Sequence, residues 1–327
     1  MSCFLLGIGS PLVDYSVPVD DEFLLREVSG AKGGTLNISD EVRDELLSKS
    51  GVVPTKSAGG AAANTVMALA ELGVSAAHFG KIGNDENGSF FRRELLSSGA
   101  FDRWIFTDDN VSSGYCLTLI TPDAERTMRS NLGASLNISG EDLQKCDFSE
   151  CRWIIAEGYF INEPWLAELL IRSRQSGCRI ALDLSSFELA EKCRDKFFQL
   201  ITSAVDLLFA NEEEFAALCG KDGDTIGQLL SFPCENVVVK LGANGAIVRE
   251  KDYLWSVKAV KVEKAVDTTA AGDYFAAGFF WGLAHGLPPE KCGCAGALTA
   301  AEIVKVSGTK LNKKSWIELK NILEKLK

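Results

Sequence analysis

Short, continuously apolar runs alternate with longer helical patterns along this chain. That alternation limits the folds open to it more than any other feature. The strand candidates are Phe4–Ile8, Ala77–Ile82, Tyr115–Ile120, Trp153–Ala156, Arg179–Leu184, Asp206–Ala210 and Val237–Leu241. Apolar runs without polar alternation suit strands covered on both faces. Helical patterns follow several of them, at Ala61–Leu72, Phe90–Ser98, Pro164–Ser176, Glu188–Thr202, Glu212–Cys219, Tyr274–Gly286 and Lys291–Val306. Such units are right-handed strand–helix–strand crossovers and build a mainly parallel sheet. The expected fold class is therefore α/β, as one domain over residues 1–327. Two stretches break the rhythm, 12–54 and 101–131, and are expected to form a small β-sheet lid over the C-terminal edge of the large sheet.

Charge and cysteine usage narrow the class. The net charge is −11 and no Lys/Arg block stands out, which argues against nucleic acid or an anionic membrane as a partner. Ten cysteines are scattered without a CxxC pair, and only two histidines are present, so zinc is not expected. Reduced thiols in a cytoplasmic protein are the simplest reading. The opening MSCFLLGIGSPLVD has no basic leader and reads as a first strand, not a signal peptide. No apolar stretch approaches the about 20 residues of a membrane span.

The segment AVDTTAAGDYFAAGFFWGL, Ala265–Leu283, carries the chemistry. A polar turn of small residues runs into an apolar helix. A helix start leaves about four N–H groups unpaired and carries partial positive charge, a ready seat for phosphate. Asp273 beside it is placed to take a proton from an attacking hydroxyl. Four other segments deserve weight. SAGGAAANTVMALAELG offers Gly59 and Gly60 for close backbone approach, then Asn64 in a helical first turn; an ordinary turn before a helix would look similar. GIGSPLVD lacks the third glycine of a dinucleotide fingerprint, but Asp14 just past a strand end suits paired hydroxyls. In FANEEEF, Asn211 and Glu214 share a helical face and could organise water around Mg²⁺. The helix dipole alone would also favour acidic residues there. VVVKLGANGAIV reads as a hairpin, with Lys240, Gly242 and Gly245 available to ATP phosphates. A P-loop is absent.

In this order, these segments resemble the ribokinase (PfkB) family of sugar and nucleoside kinases, over nearly the whole chain. DTTAAGD is similar to the family's second signature and SAGGAAAN to its first. The resemblance implies a ribokinase-like three-layer α/β/α fold with a lid, and ATP-dependent phosphorylation of a primary hydroxyl. It implies Asp273 as base and the N–H groups of Ala270, Ala271 and Gly272 around the transferring phosphoryl. Arg126 would come from the lid. Asp14, Ser10, Gly59, Gly60, Asn64 and Asn131 would lie at the acceptor. Asn211, Lys240, Gly242, Gly245 and Thr268 would lie at ATP. Glu214 would act on Mg²⁺ through water, and Asp267 would line a K⁺ site. The nucleotide base would sit between residues 257–262 and 292–306. Relatives occur as monomers and homodimers.

Two residues depart from the family pattern. Ala270 stands where glycine is usual, and is expected to be helical, where alanine costs little. Val66 stands where a small or hydroxyl residue is common. The acceptor is expected to be a sugar, with a nucleoside as the alternative. GSPLVD and ERTMRSNLGAS resemble the adenosine-kinase branch, yet adenosine kinases tend to have Asn where this chain has Ser10. A stacking aromatic would favour a nucleoside; a tight polar pocket would favour a sugar. A regulatory protein that binds ATP and sugar without turnover is a further reading, with Ala270 as its only support. A metal-dependent hydrolase would need a second carboxylate near Asp183-Leu184-Ser185, which the sequence lacks.

Overall fold

Strand parity explains the unbroken apolar runs. The structure, a computed structural model, describes residues 3–123, 125–220 and 225–327. Its strands are β1 Cys3–Ile8, β2 Leu12–Pro18, β3 Thr35–Asn37, β4 Thr55–Gly59, β5 Ala76–Gly83, β6 Phe101–Asp108 and β7 Ser113–Ile120. They continue as β8 Arg126–Gly133, β9 Cys151–Glu157, β10 Arg179–Asp183, β11 Leu207–Asn211, β12 Asn236–Lys240, β13 Ala246–Glu250 and β14 Tyr253–Val257. The large sheet runs in the order β14-β13-β12-β11-β10-β9-β1-β5-β6. It is parallel except where β13 and β14 turn back.

Trp153, Ile155, Ala181, Phe209 and Val238 bury one face of that sheet against helices Ala61–Glu71, Ala271–Ala284 and Pro289–Ile303. Their neighbours Ile154, Ala156, Leu182, Ala210 and Val239 bury the other face against helices Pro164–Gln175 and Arg194–Ala204. Successive side chains point to opposite faces, so a strand covered twice must be apolar at every position. This is the expected three-layer α/β/α arrangement.

The small sheet has the order β3-β8-β7-β2-β4. It differs in extent from the expected 12–54 and 101–131. Phe101–Asp108 pairs with β5 at the edge of the large sheet, because its aromatic and aliphatic side chains find cover there. Thr55–Gly59 pairs with β2 and joins the small sheet instead. Ala124, inside the second stretch, lies outside the described residues. Between β2 and β4 stand two helices, Asp21–Glu27 and Asp40–Ser50, capped by Asp20 and Ser39. Their Phe23, Leu24 and Leu46 cover the Val13, Tyr15 and Leu117 face of the sheet. The expected helix Glu188–Thr202 is two helices, Phe187–Lys192 and Arg194–Ala204, broken at Cys193. All ten cysteines are free. Among the described residues, no helix is long and apolar enough to cross a membrane.

Candidate active site

Four adjacent strands of the large sheet end in polar residues: Glu157, Asp183, Asn211 and Lys240. Each follows its strand's buried pattern by two residues, so all four point to the face covered by helices Ala61–Glu71 and Ala271–Ala284. Register aligns them, with Asp183 beside Glu157 and Asn211 beside Lys240. Ligands of open parallel sheets bind beyond such carboxyl ends. Lys240 Nζ donates to Asp183 Oδ2 at 3.0 Å. A Cβ on Gly272 would stand 3.0 Å from the same ammonium, which places it under the start of the Ala271–Ala284 helix. Burial alone would lower the Lys240 pKa, but the carboxylates of Asp183, Glu214 and Asp273 hold it above its ordinary value.

The two segments singled out in the sequence meet here. Asn64 Nδ2 donates to Asp273 Oδ2 at 2.9 Å, and Thr65 Oγ1 donates to the Asp273 carbonyl at 3.2 Å. Burial pushes the Asp273 carboxyl up to about 7; Asn64 and Lys240 pull down, while Asp183 and Asp14 push up. Asn64 Oδ1 is buried without a partner. Ala270 corrects an expectation: its φ is +59° and ψ 5°, left-handed, not helical. Alanine there carries about 1–2 kcal/mol of strain. The turn has no capping side chain, which leaves first-turn N–H groups without one. Ala271 N is the exception, donating to Thr268 O at 3.2 Å. Val66, the other departure, fills the space that Gly7 leaves open.

Across the cleft, Asp14 projects from β2. Burial pushes its carboxyl up to about 7, with Arg126 pulling the other way. A Cβ on Gly59 would collide with that carboxylate. Gly60 has φ +99° and caps the Ala61–Glu71 helix; a side chain there would strike the Ser10 carbonyl oxygen. Ser10 is buried with its Oγ unpartnered. Pairing sets Asp14, Ser57, Cys116 and Ser130 on one face of the small sheet. Asn131 pairs with Tyr115 and therefore sits on the opposite face, where its Oδ1 accepts from Gly133 N at 2.9 Å. Asn131 therefore does not share the face that carries Asp14. Arg126 reaches from β8 and ion-pairs with Asp267. Asp267 also accepts from Thr269 N at 2.7 Å and Gly308 N at 2.9 Å, so its carboxylate is already engaged.

The remaining expected residues divide. Asn211 and Glu214 close a reciprocal cap, Glu214 N to Asn211 Oδ1 and Asn211 N to Glu214 Oε2, both 2.8 Å. Burial, then Asp183, pushes the Glu214 carboxyl up to about 7. Gly242 lies in open space at the β12–β13 hairpin, and Thr268 is exposed. Gly245 instead lies against the Val257 carbonyl, which makes it a hairpin packing position. Gly293 of the Pro289–Ile303 helix abuts Val257, so the two segments expected around the nucleotide base are in contact.

Sequence reasoning missed Glu157 and Tyr159, and weighed Asp183 only as a lone carboxylate for a metal-dependent hydrolase. The available signal was a lone carboxylate ending an apolar strand, in IIAEG and IALDL. Tyr159 is 48% exposed. It lies in the turn Gly158–Phe160 that follows Glu157, and desolvation, then the carboxylates of Glu157, Glu214, Asp273 and Asp183, push its phenol up.

A parallel α/β sheet with an anion turn, a neighbouring carboxylate and a small sheet across the cleft defines a phosphotransferase acting on small molecules. The chain belongs to the PfkB family of carbohydrate kinases, whose model matches residues 39–316. It is 30% identical to an ATP-dependent ribose-1-phosphate kinase of Halopiger xanaduensis over 68% of this chain and 72% of that one. It is 25% identical to adenosine kinase 1 of Arabidopsis thaliana over 93% and 94%. Among solved structures, adenosine kinase from Sinorhizobium meliloti superposes with TM-score 0.87 at 28% identity, covering 98% of this chain and 100% of that chain. A probable sugar kinase from Rhizobium etli gives 0.85 at 27% identity, covering 98% and 99%.

Proposed function

We propose that Asp273 deprotonates a primary hydroxyl of a sugar, free or carried in a nucleoside, and that this hydroxyl takes the γ-phosphoryl group of ATP. The Asn64–Asp273 bond carries the reading, because it fixes the base to the helix that forms the acceptor wall. Asp14 holds the acceptor's other hydroxyls from the small sheet, which acts as a lid. The acceptor O–H bond breaks as its proton goes to Asp273. The oxygen–phosphorus bond forms while the bond from γ-phosphorus to the bridging oxygen breaks, releasing ADP. The developing charge falls to open first-turn N–H groups, Lys240 and Arg126.

The family's use of ATP with Mg²⁺ fits the residues present. Asp183 and Glu214 converge beside Lys240, and among the described residues no cluster of three or more possible metal ligands exists. These two carboxylates would hold an ion that keeps most of its waters. When bound, such an ion draws charge from the phosphate oxygens. K⁺ fits poorly, since Arg126, Thr269 and Gly308 already occupy Asp267. The free thiols support a cytoplasmic location.

The adenosine kinases among this chain's relatives favour the nucleoside form of the acceptor. The polar cleft face of the small sheet suits the free sugar. An ADP-release screen over pentoses, hexoses, their phosphates and nucleosides, with Mg²⁺ and with or without K⁺, decides between them. No release above ATP alone for any acceptor would refute the reading and leave a binding protein. Size-exclusion chromatography separates monomer from homodimer.

A further inference from the structure

We propose that Glu157 is a positioning residue that ties the two halves of the acceptor wall to one point beneath the catalytic base. The proposal rests on the reading that Asp14 and the Gly60–Asn64 turn hold the acceptor. Glu157 ends β9 and is 2% exposed. Its Oε1 accepts from Ala62 N at 2.7 Å, and its Oε2 accepts from Ser10 N at 3.2 Å. Ser10 opens the short loop that leads into β2 and Asp14. Ala62 lies in the first turn of the helix that carries Asn64. Segments 52 positions apart (Ser10 and Ala62) therefore converge on one carboxylate.

The surroundings are built for this side chain. A Cβ on Gly9 would collide with Glu157 Oε1, so the second glycine of GIGS makes room for the carboxylate. Burial dominates its proton affinity, opposed by the two backbone N–H groups, and Asp273 and Asp183 push in the same direction as burial. Glu157 and those two aspartates also line one small cavity with Thr65 and Ile155. The carboxyl group gives one acceptor oxygen to each N–H group. Glutamine turns one oxygen into a donor that faces a donor. Burial pushes the Glu157 carboxyl up to about 8.

The test is Glu157→Gln, assayed with adenosine and with D-ribose as acceptors, with Asp14→Asn alongside. The expected result is an acceptor KM raised about 10–100-fold, as for a buried donor left unpaired, with kcat within about threefold and the KM for ATP unchanged. Amide exchange at Ser10 and Ala62, which needs no acceptor, should quicken at least about tenfold with the Lys240–Asp183 region unaffected. Gly9→Ala, which crowds the same oxygen from the other side, should reproduce the exchange result if Glu157→Gln folds poorly. Unchanged exchange at both amides overturns the proposal. So does an unchanged acceptor KM in Glu157→Gln when Asp14→Asn raises it. If Asp14→Asn leaves the acceptor KM unchanged, the reading of the acceptor wall fails first.

Discussion

Replacing Asp273 by Asn should make the enzyme nearly inactive and, at alkaline pH, more stable. The sign follows from the carboxyl's position near 7 in the fold, raised first by burial and then by Asp183 and Asp14. In the unfolded chain it titrates near its ordinary value of 3.8. The folded state therefore holds this proton more tightly. The stabilising contribution is complete below about pH 4 and is lost as pH rises through about 7. At 1.36 kcal/mol per pH unit, keeping the group ionised at pH 8 costs at most about 4 kcal/mol. Part of that is shared with Asp183 and Lys240, so Asn should recover about 1–3 kcal/mol. Asn can still accept from Asn64 Nδ2, which limits the loss on the other side. A gain of that size raises Tm by about 2–6 °C in a chain of this length. Thermal unfolding of both proteins from pH 4 to 8.5 is the assay; the gain should fall to less than half at pH 5 and be nearly gone at pH 4. In parallel, kcat should fall by about 10²–10⁴, and wild-type kcat should rise with pH through a midpoint near 7. A stability gain of equal size at pH 5 and pH 8, or a variant less stable at pH 8, would refute the argument from burial. Retained turnover would refute the assignment of the base.

Three further outcomes follow from single contacts. Ala270→Gly should raise stability by about 0.5–1 kcal/mol, the relief of a left-handed alanine less the extra unfolded-chain entropy of glycine, as read by denaturant midpoint at unchanged slope. Gly60→Ala should lower acceptor binding at least about tenfold, because its Cβ meets the Ser10 carbonyl at φ +99°; isothermal titration with the best acceptor of the screen checks this. Arg126→Ala should lower kcat by about 10²–10³, as for a lost charge-stabilising donor, and Arg126→Lys should recover only part of it in steady-state assays.

Much of the site was legible because its parts are local. A helix start with small residues and an aspartate is a property of seven consecutive residues, and DTTAAGD states it outright. Gly59, Gly60 and Asn64 were legible for the same reason. The residues that escaped lie at the ends of buried strands. Glu157 was left one residue beyond a strand expected to end at Ala156, because nothing local separates a strand's last residue from the loop. The face taken by Asn131 was equally hidden, because one residue along β8 turns a side chain to the other side of the small sheet. Ala270 was expected to be helical because backbone sign at a single position depends on how the turn must reach the helix, not on the residue.

The sequence by itself determined a doubly covered parallel sheet and the chemistry of one turn, since apolar periodicity and helix-start composition act within a few residues. Only the tertiary structure decided which charges face one another. Glu157, Asp183 and Lys240 come from strands far apart in the chain, and register alone brings them under Asp273. Their shared burial then sets the proton affinities on which the chemistry depends, and no stretch of sequence contains that burial.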